Sequence, residues 1–247
     1  MNPKITSATN GLSRTAIAQD SIGRKINTRR SFVAGALAGS LAACGGGATA
    51  GTAPLVDIYG DSTASGSYQL SPDSPATAHL AERPAARIAA ATGGGVIDHA
   101  IPGWTIASHA ATWDLAQSPA SVLVLRFGGA DAIVGTGATE FAAALTGVCA
   151  SAPGKRIVLV GVIRVARKPE WQDRLGLDAA GFARLEAKSA ELDNTVRSVA
   201  ALRGLPFVDI RGVRFDGASD IADAVHEAQA YSNRCADAIA AALLRLA

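Results

Sequence analysis

Five short, nearly unbroken apolar runs set the strongest limit on what this chain can fold into: LVDIYG (55–60), GVIDHAI (95–101), SVLVLRF (121–127), RIVLVGVI (156–163) and PFVDIRG (206–212). They are rich in β-branched residues and show little polar alternation. Strands of that kind are buried on both faces, as in a parallel sheet covered by helices. Between them lie PATAHLAERPAARIAAATGGG, WTIASHAATWDLAQS, TEFAAALTGVCASAPG and LDAAGFARLEAKSAELDNTVRSVAALRG, with apolar residues at helical spacing. Several of these stretches end at Gly or Pro, as helices commonly do. A last helix is expected over roughly 227–246. Strand and helix in alternation predict one doubly wound α/β domain, a three-layer α/β/α sandwich with a five-stranded parallel sheet. Such sheets bind ligands beyond the C-terminal ends of their strands. The irregular loop 164–176 follows one of those ends, and its Trp171 reads equally well as a substrate wall or as a cap on the core.

The first run ends at Gly60-Asp61-Ser62. A glycine there lets the backbone turn sharply. If a helical turn begins at Ser62, its own N–H points toward any negative charge developing beside the hydroxyl. Alone, the triplet reads as well as a helix N-cap made by Asp61 or Ser62. Far downstream stands Asp223-Ala224-Val225-His226, whose carboxylate and imidazole share one face of a turn. That spacing lets the carboxylate hold the imidazole in the tautomer a general base needs. Serine, histidine and carboxylate together convert a weak hydroxyl into a nucleophile. The other histidines have structural readings, His79 and His109 within helical patterns and His99 within a strand. The α/β-hydrolase arrangement wants a G-x-S-x-G elbow, and the context here is GDSTA. No Walker A or G-x-G-x-x-G loop follows a strand, so no nucleotide cofactor is expected.

These blocks resemble the SGNH (GDSL-type) hydrolases, a flavodoxin-like α/β fold of esterases, lipases and acetyl-hydrolases, across nearly all of residues 54–247. The resemblance implies Ser62 as nucleophile, His226 as general base and then acid, and Asp223 as the orienting carboxylate, with Gly60 and Asp61 completing the first block. The second block matches AIPGWT, so Gly103 would join the N–H of Ser62 in an oxyanion hole. The third block, GxND in the family, reads Gly128-Gly129-Ala130-Asp131 here, so Ala130 stands at the asparagine position. Losing one such donor typically costs about 10²–10³ in kcat. Thr105 and Arg126 are close enough in sequence to be considered as replacements, whereas an ionised Asp131 would repel the oxyanion. The implied activity is cleavage of an acetyl or other short-chain ester, of a small molecule or a polysaccharide, through an acyl-enzyme. Acyl transfer to a polysaccharide and a catalytically weakened envelope binding protein are the alternatives, the latter on account of Ala130. A monomer is expected.

Residues 1–43 resemble an export signal. Arg29-Arg30 followed by Ser31-Phe32-Val33 is similar to a twin-arginine signal, and Leu41-Ala42-Ala43-Cys44 to a bacterial lipobox in which Cys44 is lipidated. The apolar stretch between them is too short to span a bilayer. A Gly/Ala-rich tether follows over 44–53. The expected product is a lipid-anchored envelope protein facing the periplasm, at the outer membrane rather than the inner. Residues 1–43 hold six basic residues against Asp20 alone, so of 23 basic and 21 acidic residues the remainder keeps 17 and 20. The formal charge of +2 thus becomes −3, and no basic stripe is left for nucleic acid. Cys149 and Cys235 form no Cys/His cluster, so no metal is expected; they are either a disulfide or two buried thiols.

Overall fold

In a computed structural model, which describes residues 54–71, 77–168, 176–223 and 225–246, all five apolar runs join one parallel sheet. Among the described residues β1 (Val56–Gly60) comes first, followed by a single-turn helix α1 (Ser62–Ser65). A small antiparallel hairpin follows, β2 (Ser67–Gln69) with β3 (Thr77–His79). Then come α2 (Pro84–Thr92), β4 (Val96–Asp98), α3 (Ile106–Ala110), β5 (Val122–Arg126), α4 (Gly129–Val134), α5 (Ala138–Ala150) and β6 (Arg156–Val160). The chain closes with α6 (Ala179–Arg203), β7 (Phe207–Val208) and α7 (Gln229–Leu244). The sheet order is β4-β1-β5-β6-β7. The chain leaves β1 toward one edge and returns to its other side at β5. The carboxyl ends of β1 and β5 therefore flank the switch point where doubly wound sheets hold their ligands.

Continuous apolarity has a direct cause in the packing. Val56, Ile58, Val122, Val124, Val158 and Val160 face α2 and α7, where Ile88, Tyr231, Cys235 and Ile239 meet them. The alternate residues Tyr59, Leu123, Leu125 and Leu159 face α5 and α6. Phe141, Leu145 and Val148 on α5, and Leu185, Leu192, Val196 and Val199 on α6, supply the opposing stripes at helical spacing. Each such side chain contributes about 1.5–3 kcal/mol of burial. Asp178 caps the start of α6 through Gly181 N–H, and Gly204 ends it. The two cysteines lie on opposite sides of the sheet, Cys149 in one cluster and Cys235 in the other. They are free thiols, and burial pushes Cys149 up to about 11.

The elements depart from the expected ones in three places. The run 206–212 pairs only through Phe207–Val208, because Ile210 N–H turns back onto the Val208 carbonyl at 3.1 Å. The stretch 104–118 yields only α3 and a 3₁₀ turn at Leu115–Gln117. His79, expected in a helix, lies on β3, where the hairpin pairing with β2 outweighs the alanine-rich local preference; the helix begins only at Pro84, a residue suited to a first helical position.

Candidate active site

The turn after β1 is built by close approach. A Cβ on Gly60 would fall 2.2 Å from the Arg126 carbonyl oxygen of β5, so only glycine fits. Asp61, fully buried, caps α1: its Oδ1 accepts from Thr63 N–H at 2.9 Å and from the Thr63 hydroxyl at 2.7 Å. Its Oδ2 accepts from Ala130 N–H at 3.1 Å, which ties the turn after β1 to the loop after β5. A one-turn helix cannot satisfy its own carbonyls. Side chains do so here: Arg126 donates to Thr63 C=O at 2.9 Å and Arg83 to Ser65 C=O at 3.1 Å. Beneath the turn, His109 Nε2 lies 2.9 Å from the Gly60 carbonyl. A carbonyl only accepts, so Nε2 carries the proton, and burial holds His109 below the ordinary histidine value.

The structure brings Ser62, His226 and Asp223 into one hydrogen-bonded line. Ser62 Oγ lies 2.8 Å from His226 Nε2, and His226 Nδ1 lies 2.6 Å from Asp223 Oδ2. The loop is closed by a bridge between Ile221 and Glu227 and by Ala222 N–H donating to the His226 carbonyl at 2.7 Å. Asp223 Oδ1 accepts from the N–H groups of Val225 and His226 at 2.9 and 2.8 Å, a local turn for which aspartate is well suited. Asp223 Oδ2 also accepts from Gln69 N–H at 2.7 Å, from across the fold. Burial alone would raise this carboxyl, but the His226 hydrogen bond and charge, with the N–H donors, hold it below the usual range.

Ser62, His226, Gly103 and Ala130 share the wall of an open cavity of about 520 Å³. Gly103 sits in a Pro102-Gly103 turn, closed by Trp104 N–H donating to Ile101 C=O at 3.2 Å, and its φ of +77° suits glycine. The N–H groups of Ser62 and Gly103 have no acceptor among the described residues, whereas that of Ala130 is taken by Asp61. Ala130 presents only a methyl group. Asp131 is turned inward: one oxygen accepts from Ile106 N–H at 3.1 Å and the other from the Thr136 hydroxyl at 3.2 Å. It holds the Gly103 loop to the β5 loop rather than facing the cavity, and burial pushes its carboxyl up to about 6.

The two replacement donors considered for the asparagine position do not serve there. Arg126 is 2% exposed and directs its guanidinium at Thr63 and into an ion pair with Glu227. Thr105 caps α3, its hydroxyl oxygen accepting from Ser108 N–H at 3.3 Å. Trp171 and Cys44 lie outside the described residues. Among the described residues, no group of three His, Cys, Asp or Glu side chains is placed to hold a metal ion. The Gln69 amide was invisible to sequence reading, since a backbone N–H carries no residue identity. Glu227 had a faint signal as an acid directly beside His226.

Comparisons with known proteins bear on the family and the fold. Residues 58–239 match the GDSL-like Lipase/Acylhydrolase family. An aryl esterase from M. smegmatis superposes with a TM-score of 0.65 at 19% identity, over 79% of this chain and 100% of its own. A carbohydrate acetylesterase from Sinorhizobium meliloti gives 0.64 at 18%, over 78% and 100%. A catalytic mutant of an acetylxylan esterase from Geobacillus stearothermophilus gives 0.59 at 16%, over 78% and 95%. No curated protein matches the sequence.

Proposed function

We propose that this chain, which belongs to the GDSL-like lipase/acylhydrolase family, is a serine esterase that removes an acetyl or other short acyl group through Ser62. The observation that carries the reading is the line Ser62 Oγ, His226, Asp223, with contacts of 2.8 and 2.6 Å. His226 Nε2 takes the Ser62 proton as Oγ attacks the ester carbonyl carbon. Asp223, held ionised, fixes the proton on Nδ1 and stabilises the imidazolium that forms. The tetrahedral oxyanion receives the N–H groups of Ser62 and Gly103. As the C–O bond breaks, His226 returns its proton to the leaving alkoxide and leaves an acyl-Ser62. Water, deprotonated by His226, then attacks the acyl carbon and releases the acid.

Two features support a short acyl group and a hydroxyl-rich alcohol. Behind Ser62 and His226 lies a small apolar recess beside Ile163, Leu185 and Val225, with about 10 Å³ of free space, room for about one water-sized group. On the open side Tyr68, Gln69 and Thr77 line the large cavity, groups suited to sugar hydroxyls. The acetyl-carbohydrate substrates in the names of two structural relatives fit the same reading. Ala130 favours a second reading, a weakened binding protein on the same fold. Hydrolysis of p-nitrophenyl acetate and labelling by a fluorophosphonate decide between them. Wild type should turn over and label, while Ser62→Ala and His226→Ala should not. Equal slow rates for all three would leave Ser62 without its role.

The N-terminal motif adds a proposal about place. Cys44 carries the lipid, and the esterase faces the periplasm from a membrane anchor. Cys44→Ala should move the protein from the membrane to the soluble fraction of a cell lysate; continued membrane retention would remove the lipobox from the account.

A further inference from the structure

The β2–β3 hairpin touches both ends of the Ser62–His226–Asp223 line. Gln69 N–H on β2 reaches Asp223, as described above. At the other end, Ser65 Oγ lies 3.0 Å from the Ser62 carbonyl, Ser67 Oγ lies 2.7 Å from Ser65 Oγ, and His79 Nδ1 lies 3.0 Å from Ser67 Oγ. Ser67 and His79 are register partners in the hairpin. Ser65 and Ser67 are 1% and 4% exposed.

The direction of this chain follows from proton counting. A carbonyl can only accept, so the Ser65 hydroxyl proton goes to Ser62 C=O. Ser65 has no second proton, so Ser67 donates to it. Ser67 then has only lone pairs left, so His79 Nδ1 must carry a proton and donate. The Ser62 carbonyl, which also accepts from Gly66 N–H, is thus fixed from two sides. Fixing that carbonyl fixes the peptide plane that sets where Ser62 Oγ aims. In the neutral ring the required form is Nδ1–H, the minor tautomer of free histidine, selected here by its partner.

We propose that His79 and Ser67 are positioning residues for the nucleophile: a one-way hydrogen-bond chain, His79 to Ser67 to Ser65 to the Ser62 carbonyl, holds Ser62 in attacking geometry. The same hairpin holds Asp223, so one element sets both ends of the catalytic line. The proposal rests on Ser62 as nucleophile for its kinetic consequence, but not for its tautomer.

The test combines ¹⁵N NMR with kinetics. In ¹⁵N-histidine-labelled protein at about pH 8.5, well above the ordinary histidine value, His79 Nδ1 should be protonated and Nε2 bare. A majority of the Nε2–H form would overturn the chain whether or not the protein is active. With p-nitrophenyl acetate, Ser67→Ala and His79→Leu should each lower kcat about five-fold, the effect of one hydrogen bond, with KM unchanged. The double variant should lose no more than either single one. His79→Asn, whose amide nitrogen sits near the Nδ1 position, should recover most of the loss. Additive losses, a change in KM alone, or equal kcat for His79→Leu and wild type would each refute the positioning role. If Ser67→Ala does not fold, the Leu and Asn variants at His79 decide. A wild type that neither turns over nor labels would instead count against the nucleophile.

Discussion

Placing an asparagine at Ala130 is the most searching perturbation of this site. The Ala130 backbone is held by Asp61 at 3.1 Å, and its methyl lies on the wall of a cavity of about 520 Å³ that also contains Ser62 and Gly103. Three added heavy atoms fit there without displacing main chain. A preorganised third donor to the oxyanion is worth about 3–4 kcal/mol. Ordering an otherwise free side chain costs about 0.5–1.5 kcal/mol. The net gain is about 1.5–3.5 kcal/mol, so Ala130→Asn should raise kcat roughly 10- to 400-fold. KM should stay nearly constant, because the carbonyl oxygen gains its charge only in the transition state. Steady-state hydrolysis of p-nitrophenyl acetate measures both, with Ala130→Asn in a Ser62→Ala background as the blank. Fluorophosphonate labelling should accelerate in parallel. A folded Ala130→Asn protein with kcat within three-fold of wild type would refute the reasoning, and the oxyanion would have to form away from residue 130.

Three further variants probe the supports. Asp223→Asn should fold normally by circular dichroism but lose roughly 10⁴ in kcat, as the corresponding change does in a serine protease, because the wrong imidazole tautomer is held; a loss under ten-fold would deny Asp223 its orienting role. Asp131 has its folded value raised from 3.8 to about 6, so between these values the folded chain keeps a proton that the unfolded chain has released. Its contribution is therefore full below about pH 4 and is lost as pH rises through about 6, by at most about 3 kcal/mol. Asp131→Asn should flatten that slope in urea titrations from pH 4 to 7, and an unchanged slope would assign it to other groups. Gly60→Ala forces a Cβ to within 2.2 Å of backbone oxygen and 2.6 Å of the Ala64 Cβ, so thermal unfolding should show a loss of about 3 kcal/mol or more; a wild-type melting curve would mean that the strands part easily.

The sheet was legible because its strands are buried on both faces, which leaves Val, Ile and Leu at consecutive positions from Val122 to Leu125 and from Ile157 to Val160. Ser62, Asp223 and His226 were legible because each sits directly after a strand or within a turn whose spacing carries meaning. The hairpin was not. Ser67–Gln69 and Thr77–His79 are three residues each, too short and too mixed in polarity for either period to register. Arg126 was misjudged for a related reason. Its place in the chain suggests the crevice, but its register partner is Gly60, and that pairing sends the guanidinium under the turn that carries Ser62. The cysteines left two readings open until the sheet was seen to lie between them.

The Arg126–Glu227 pair has a consequence for how this molecule opens. Both side chains are 2% exposed, and Glu227 directly follows His226. Peeling the 220–228 loop away from β5 would strand a guanidinium in the interior, a defect that costs about 3–5 kcal/mol. Loops that carry catalytic groups usually come from the least stable part of a fold. This one should instead exchange its amide hydrogens in concert with the central strand, as one cooperative unit. Slow exchange at His226 matching that of Leu125 would mark a histidine that leaves its place beside Ser62 only when the sheet itself unfolds.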